Sequence, residues 1–311
     1  MTLACFISAG SRVPPARRVI SRLSRWLAAG CIAALATAGC LPETPRPAAG
    51  EMRLVSTAPH LTECVCAVGA ADLLVGRTES CDYPPEIVAV VPVTGRFAIP
   101  WLEPLLAVRP THVLETVLAD TTITDRMTAL GVNVTHVPCA RLAEIPGALR
   151  QIGALTGHPE KGMALAAQIE RGLAAAREQA PAQPARRALL LLAPDMPITA
   201  SRRTFVSELM ELAGARNISA DTEPDYYHIS LESVIRHDPD LILCLFEHKA
   251  RDPHTLFNSR PGWKTLRAVR TKRVYTVPDL NTASRPGPRV LQGLAQFQEI
   301  LALDARQTSP Q

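Results

Sequence analysis

Leu102 to Leu114 reads LEPLLAVRPTHVL, and 129 positions later Leu231 to Leu243 reads LESVIRHDPDLIL. Seven positions match in kind without a gap, among them Glu103 with Glu232, Leu105 with Val234, Pro110 with Pro239 and Val113 with Ile242. A Glu, an apolar pair, a Pro and an apolar run predict a short helix, a Pro-marked turn and a buried strand. The unit occurs twice. A second pair of stretches keeps the same order: Thr62-Glu63 through Gly69 to Leu73 matches Ser207-Glu208 through Gly214 to Ile218 at an offset of 145. Each predicts a helix closed by Gly and leading into a strand. Neither spacing belongs to a solenoid or propeller array. The alternative to two related halves is chance likeness between short apolar helices.

A chain of 311 residues has room for two α/β lobes with separate cores. Its formal charge of +4 is concentrated at one end, because Arg12, Arg17, Arg18, Arg22 and Arg25 fall in a stretch, 1–39, that contains no acid. The remainder holds 28 basic against 29 acidic residues, so no basic footprint for DNA or RNA is left.

Those arginines precede an apolar run of 13 residues, Trp26 to Ala38, too short to span a bilayer comfortably. Residues 1–39 therefore read as a secretory signal, outside any fold reasoning. The end of this signal, Thr37-Ala38-Gly39-Cys40, resembles a bacterial lipoprotein signal, with Thr37 where Leu is usual. Ordinary cleavage near Ala38 is the alternative. The expectation is a periplasmic protein held to a membrane by lipid on Cys40, with the Pro- and Ala-rich residues 40–51 as tether. The cysteines that follow, Cys64, Cys66, Cys81, Cys139 and Cys244, are odd in number, so at least one stays free, binds something or pairs between molecules.

From residue 52 the chain alternates strands and helices, which predicts three-layer lobes with mainly parallel sheets. The N-terminal lobe is expected over 52–155. Residues 156–184 form an interlobe segment, with Leu165, Ile169, Leu173, Ala176 and Ala180 marking one stripe of a helix from Pro159 to Ala180. A rigid helix there would limit how far the lobes swing. The C-terminal lobe is expected over 185–303 and opens on a Leu-rich strand at Ala188 to Ala193 that must be buried on both faces. It contains an aromatic loop, Asp225-Tyr226-Tyr227-His228, and ends on a helix from Val290 to about Ala302, leaving 304–311 as a tail.

RLVSTAPHLTE at Arg53 to Glu63, GAADLLVG at Gly69 to Gly76, CDYPP at Cys81 to Pro85 and WLEPLLAVRPTHVL at Trp101 to Leu114 carry a family resemblance. ISLESVIRHDPDLIL at Ile229 to Leu243 and RPGPRVL at Arg285 to Leu291 carry it into the second half. Together they resemble the helical-backbone class of periplasmic substrate-binding proteins, which serve ABC importers of cobalamin, ferric siderophores and haem. The likeness covers about Met52 to Ala302 and is strongest to the cobalamin-binding branch. It departs from that branch near the final motif, where Leu280 and Asn281 follow Asp279 in place of an aromatic cluster. The resemblance implies two Rossmann-like lobes on one long helix, a ligand cleft between them, and a Glu on each lobe's rim, here Glu103 and Glu232, that meets arginines of the permease.

Aromatic residues make up only 4% of the chain, so Tyr83, Trp101, Tyr226 and Tyr227, all in expected loops, are candidates for cleft walls that hold a large flat ligand. His60 and His228 occupy matching loop regions and are candidates to bond or coordinate a metal-centred ligand. No resident cofactor is expected, and the chain is expected to be a monomer. Two rival readings remain. One is a metallocofactor enzyme of related fold such as a metal chelatase, against which stands the absence of GxSxG, HExxH, a Walker motif or GxGxxG after a strand. The other is capture of a bare metal ion, for which Glu247, His248 and His254 form the one tight group, short of the four converging ligands a closed zinc site needs.

Overall fold

The computed structural model describes residues 51–116, 121–179, 186–193, 195–219, 224–246 and 252–308. The signal segment, Cys40, the tether up to residue 50, Ala180 with Pro181, and Glu247 with His248 lie outside the described residues.

The first lobe runs β1 (Leu54–Ser56), α1 (Pro59–Ala67), β2 (Leu74–Thr78), α2 (Pro85–Val90), β3 (Val93–Arg96), β4 (Ile99–Pro100) and α3 (Leu102–Ala107). It continues through β5 (His112–Glu115), α4 (Thr121–Ala129), β6 (Asn133–His136) and α5 (Ile145–Leu155). Then α6 (Pro159–Gln179) leads to β7 (Arg186–Leu191), β8 (Ile198–Ala200), α7 (Phe205–Leu212), β9 (Ala215–Asn217) and β10 (Tyr226–His228). The chain closes with α8 (Leu231–His237), β11 (Leu241–Cys244), α9 (Pro253–Asn258), α10 (Arg267–Arg270), β12 (Val274–Thr276), α11 (Leu280–Ser284) and α12 (Val290–Thr308).

The two halves share one topology. Strand order is β4-β3-β2-β1-β5-β6 in the first sheet and β9-β7-β11-β12 in the second, read from the matching edge. Thus β2, β1, β5 and β6 correspond to β9, β7, β11 and β12, and only β3 with β4 is antiparallel in either sheet. The repeated unit also agrees in detail. Leu105 and Val234 are both fully buried, and Arg109 and Asp238 both turn left-handed, at φ 47 and 39, immediately before their prolines. A residue before Pro is driven out of the right-handed helical region, so the helix ends there in both halves. Gly69 and Gly214, the glycines of the second repeat, both take positive φ, 90 and 107, where a Cβ would be strained.

Burial explains the strands. In β7, Ala188 and Leu190 face the cluster that includes Leu209 and Phe297, while Leu189 and Leu191 face Ile242, Phe257 and Trp263 on the other side. The pleat therefore buries both faces of a nearly pure Leu strand. Helix α6, about 31 Å long for its 21 residues, contributes Ala166, Ile169, Leu173 and Ala176 to the same cluster as Leu61 and Leu149 of the first half and Leu209 of the second. One apolar core thus runs through the connecting helix.

Three expectations need correction. Residues 304–308 are not a tail: α12 extends to Thr308 because Asp304, fully buried, bonds Arg273 at 2.6 Å through both oxygens and accepts from Tyr275 Oη at 3.0 Å. The Leu-rich strand occupies Arg186–Leu191, two residues earlier than expected, since the arginines pair with β9 and reach carboxylates at the sheet's edge. Residues 226–228 form a strand, β10, antiparallel to β8, and not a loop.

Candidate functional site

The turn from β1 to α1 is fixed by its own hydroxyls. Ser56 Oγ donates to the carbonyl of Ala58 at 2.8 Å, Thr57 Oγ1 to that of Leu114 at 3.0 Å, and Thr62 Oγ1 to Ser56 Oγ at 3.0 Å. With Pro59 opening the helix, this seats His60 in the first turn, only 5% exposed. Burial, and then the Arg285 guanidinium, lower its pKa from 6.5 to about 4, so the ring is neutral at physiological pH. Its Nε2 is buried without a hydrogen-bond partner among the described residues. An unmet buried polar atom costs about 1 to 3 kcal/mol, and a neutral imidazole nitrogen is the form that ligates metals.

His60 lies on the wall of a cleft of ≈ 640 Å³ between the two halves, within the roughly 300 to 1,000 Å³ of small-molecule sites. The first half contributes residues that follow its strands' carboxyl ends: Pro59 and His60 after β1, Ser80 after β2, Thr116 after β5 and Cys139 after β6. That is where open parallel sheets leave a crevice. The second half contributes Thr204, Phe205, Asp225, Tyr226 and, from the segment after β12, Asn281, Arg285 and Pro286. The Cys139 thiol, pushed up to about 12 by burial and then by Glu144, stays protonated and donates to the Pro286 carbonyl at 2.8 Å.

The two halves are tied across the cleft by ion pairs that the second repeat relates. Glu63 of α1 takes Arg289 on both oxygens at 2.8 Å and Arg285 at 3.2 Å. Glu208 of α7, its counterpart, takes Arg141 at 2.6 Å and the Leu142 backbone N–H at 2.9 Å. Asp82 adds bonds to Arg285 and Asn281.

Of the residues expected at the cleft, His60 and Tyr226 line it. Tyr227 does not. Side chains of a strand alternate, so Tyr227 packs on the opposite side from Tyr226, against the cluster of Ile229 and Val234. His228 is exposed and lies outside the lining, opposite Ile198 at the end of the β8 and β10 pair. Tyr83 and Trp101 also lie outside it. Tyr83 sits beneath the Arg289 guanidinium, 4.1 Å from its ring centre, and Trp101 precedes α3 as its cap residue, 39% exposed. Phe97, Phe205 and Arg285 were not expected there. Phe97 sits in the turn between β3 and β4, four residues before Trp101, and Arg285 opens the RPGPR motif, so both signals were present in the sequence.

Glu103 and Glu232 are exposed in the first turns of α3 and α8. Five further described histidines are engaged locally: His112 with Thr111 Oγ1, His136 with Glu115 at 2.8 Å, His158 with the Thr156 carbonyl, His237 with that of Ser233 and His254 with that of Val269. Among the described residues no group of three or more His, Cys, Asp or Glu could hold a metal ion, and the five cysteines are free thiols.

The family model described as "Periplasmic binding protein" matches residues 54–280. The chain belongs to the periplasmic binding protein family. Among relatives of this periplasmic binding protein, the vitamin B12-binding protein of Pectobacterium carotovorum is 27% identical over 248 residues, 79% of this chain and 86% of the relative. The uncharacterized ABC transporter substrate-binding lipoprotein YvrC of Bacillus subtilis is 28% identical over 261 residues, 81% of this chain and 80% of the relative. Two solved structures are similar. The periplasmic vitamin B12 binding protein BtuF of Vibrio cholerae superposes with TM-score 0.70 at 25% identity, over 82% of this chain and 98% of BtuF. The periplasmic heme-binding protein RhuT of Roseiflexus, in apo form, gives 0.70 at 27%, over 81% and 99%. This periplasmic binding protein is thus the extracytoplasmic substrate-binding component of an ABC importer, with a permease as partner and a small molecule as ligand, and not an enzyme.

Proposed function

We propose that the ligand is a metal chelate, a corrinoid first and a ferric siderophore or haem next, held one per chain in the interlobe cleft for delivery to the permease. The observation that carries this reading is His60, a neutral, desolvated imidazole whose Nε2 has no partner among the described residues, on the wall of a cleft with Phe97, Phe205 and Tyr226. Aromatic faces suit a large flat ligand. The names of the relatives agree with this class, two vitamin B12-binding proteins and one heme-binding protein.

A calorimetric panel of hydroxocobalamin, haem and several ferric siderophores tests it, with one chelate expected to bind at one per chain. Binding of none, together with stoichiometric zinc or manganese in the purified protein, would favour the bare-ion reading instead. Two further assignments belong to the same picture. Cys40 carries the lipid that holds the protein to the membrane, so Cys40→Ser should move it to the soluble periplasmic fraction; a variant that still fractionates with membranes contradicts the anchor. Glu103 and Glu232 are the carboxylates that meet the permease, one on each half.

A further inference from the structure

A hollow larger than the interlobe cleft lies elsewhere in the second half. A concavity of ≈ 1150 Å³ lies at the other end of the second sheet, where its parallel strands begin. Arg186 and Arg187 open β7, Arg216 lies in β9, Asp240 precedes β11 and Arg273 precedes β12, and all of them line it. Leu301, Ala302 and Ala305 of α12 form the apolar side.

Five guanidinium groups, Arg267 included, meet here, and among the described residues three carboxylates answer them. Asp304 takes Arg273 at 2.6 Å and Arg186 at 3.1 Å. Asp240 bonds Arg267 and stands 3.8 Å from Arg187, and Asp238 stands 3.8 Å from Arg267. Arg216, exposed, meets no carboxylate among the described residues. The wall therefore carries a surplus of two positive charges, although residues 52–311 as a whole are close to neutral. The positive surface also continues, because Arg187 and Arg216 line a second hollow of ≈ 300 Å³ together with Arg202 and His237. Arg202 is paired there with Glu211 at 3.2 Å.

We propose that this groove at the strand-start edge of the second lobe is a binding site for a phosphate-bearing polyanion, separate from the interlobe cleft. Guanidinium forks match the oxygens of a phosphoryl group two at a time, and a groove with surplus charge along its length suits adjacent phosphates better than one small anion. Soluble oligophosphates and phospholipid headgroups present the same chemistry.

The test uses the secreted chain with Cys40→Ser, so that no acyl chain contributes, at low ionic strength. Calorimetry with inorganic pyrophosphate is one arm, and co-sedimentation with phosphatidylglycerol vesicles against phosphatidylcholine vesicles is the other. Arg216→Glu should weaken whichever binding is seen by about tenfold or more, with an unchanged thermal midpoint and unchanged affinity for the chelate in the cleft. Binding in the pyrophosphate arm alone identifies a soluble ligand, and binding in the anionic-vesicle arm identifies a headgroup. The proposal is overturned if neither probe binds, or if Arg216→Glu leaves the affinity of both unchanged. Because the chelate is titrated separately, failure here is distinguishable from failure at the cleft.

Discussion

Glu63 and Glu208 hold equivalent places in the two halves, each on the first helix of its lobe and each reaching across to the other, yet their surroundings differ. The Glu63 side chain is 2% exposed and meets two arginines from the segment after β12. That of Glu208 is 26% exposed and meets one arginine that is itself 40% exposed. The same repeat therefore builds one dry interlobe contact beside the ligand cleft and one wet contact farther out. A duplicated backbone fixes where an ion pair falls, and burial decides how much depends on it.

The largest expected effect breaks this contrast directly. Glu63→Gln removes the buried carboxylate that bridges the mostly buried guanidinium groups of Arg285 and Arg289 and should cost about 3 to 5 kcal/mol. Glu208→Gln should cost about 1 kcal/mol or less, since exposed pairs are weak. Urea denaturation of the two variants checks it, and equal losses would mean that the asymmetry has no energetic weight.

The next effect depends on pH. His60 titrates at about 4 in the folded protein against 6.5 unfolded, so between those values the unfolded chain binds more protons. Stability is full above pH 6.5, declines as pH falls through that window, and has lost about 3 kcal/mol once both states are protonated. Arg285, the second cause of the shift, belongs to the other half, and Glu63 and Asp82 stand around that guanidinium. In His60→Leu this part of the decline should vanish; an identical pH profile in the variant would show that His60 is not its source.

The smallest effect on stability is expected at the two matched rim carboxylates. Changing Glu103 and Glu232 together to Lys should alter stability by no more than about 0.5 kcal/mol and leave chelate affinity unchanged, while uptake through the permease is lost. Wild-type uptake with the double variant would remove the docking role.

The fold was legible because its signals are local and repeated. The LE unit, the Gly that closes each first helix and the stripe Leu165, Ile169, Leu173 of α6 each state one element, and their order states the duplication. The cleft was legible only in part. His60 follows from the PHLTE turn, since a residue just past β1 falls at the carboxyl edge of a parallel sheet. Tyr226 and Tyr227 could not be separated until β8 was known to pair with their segment, a long-range contact that PDYYH does not announce. The contacts of Glu63 with Arg285 and Arg289 join residues 222 and 226 positions apart, and nothing in either stretch names its partner. Asp304 was misjudged for the same reason: its arginine is 31 positions away and makes the last turns of α12 part of the core.

The central claim is that ligand binds in the cleft between the halves, on the walls that Phe97 and Tyr226 supply. The most direct test compares two pairs of alanine variants by titration with the chelate that the wild-type protein binds. Phe97→Ala and Tyr226→Ala, which truncate cleft walls, should each weaken binding by about 2 kcal/mol, roughly thirtyfold. Trp101→Ala and Tyr227→Ala, outside the lining, should leave affinity unchanged. Unchanged affinity in the first pair with a loss in the second would place the ligand elsewhere and contradict the account.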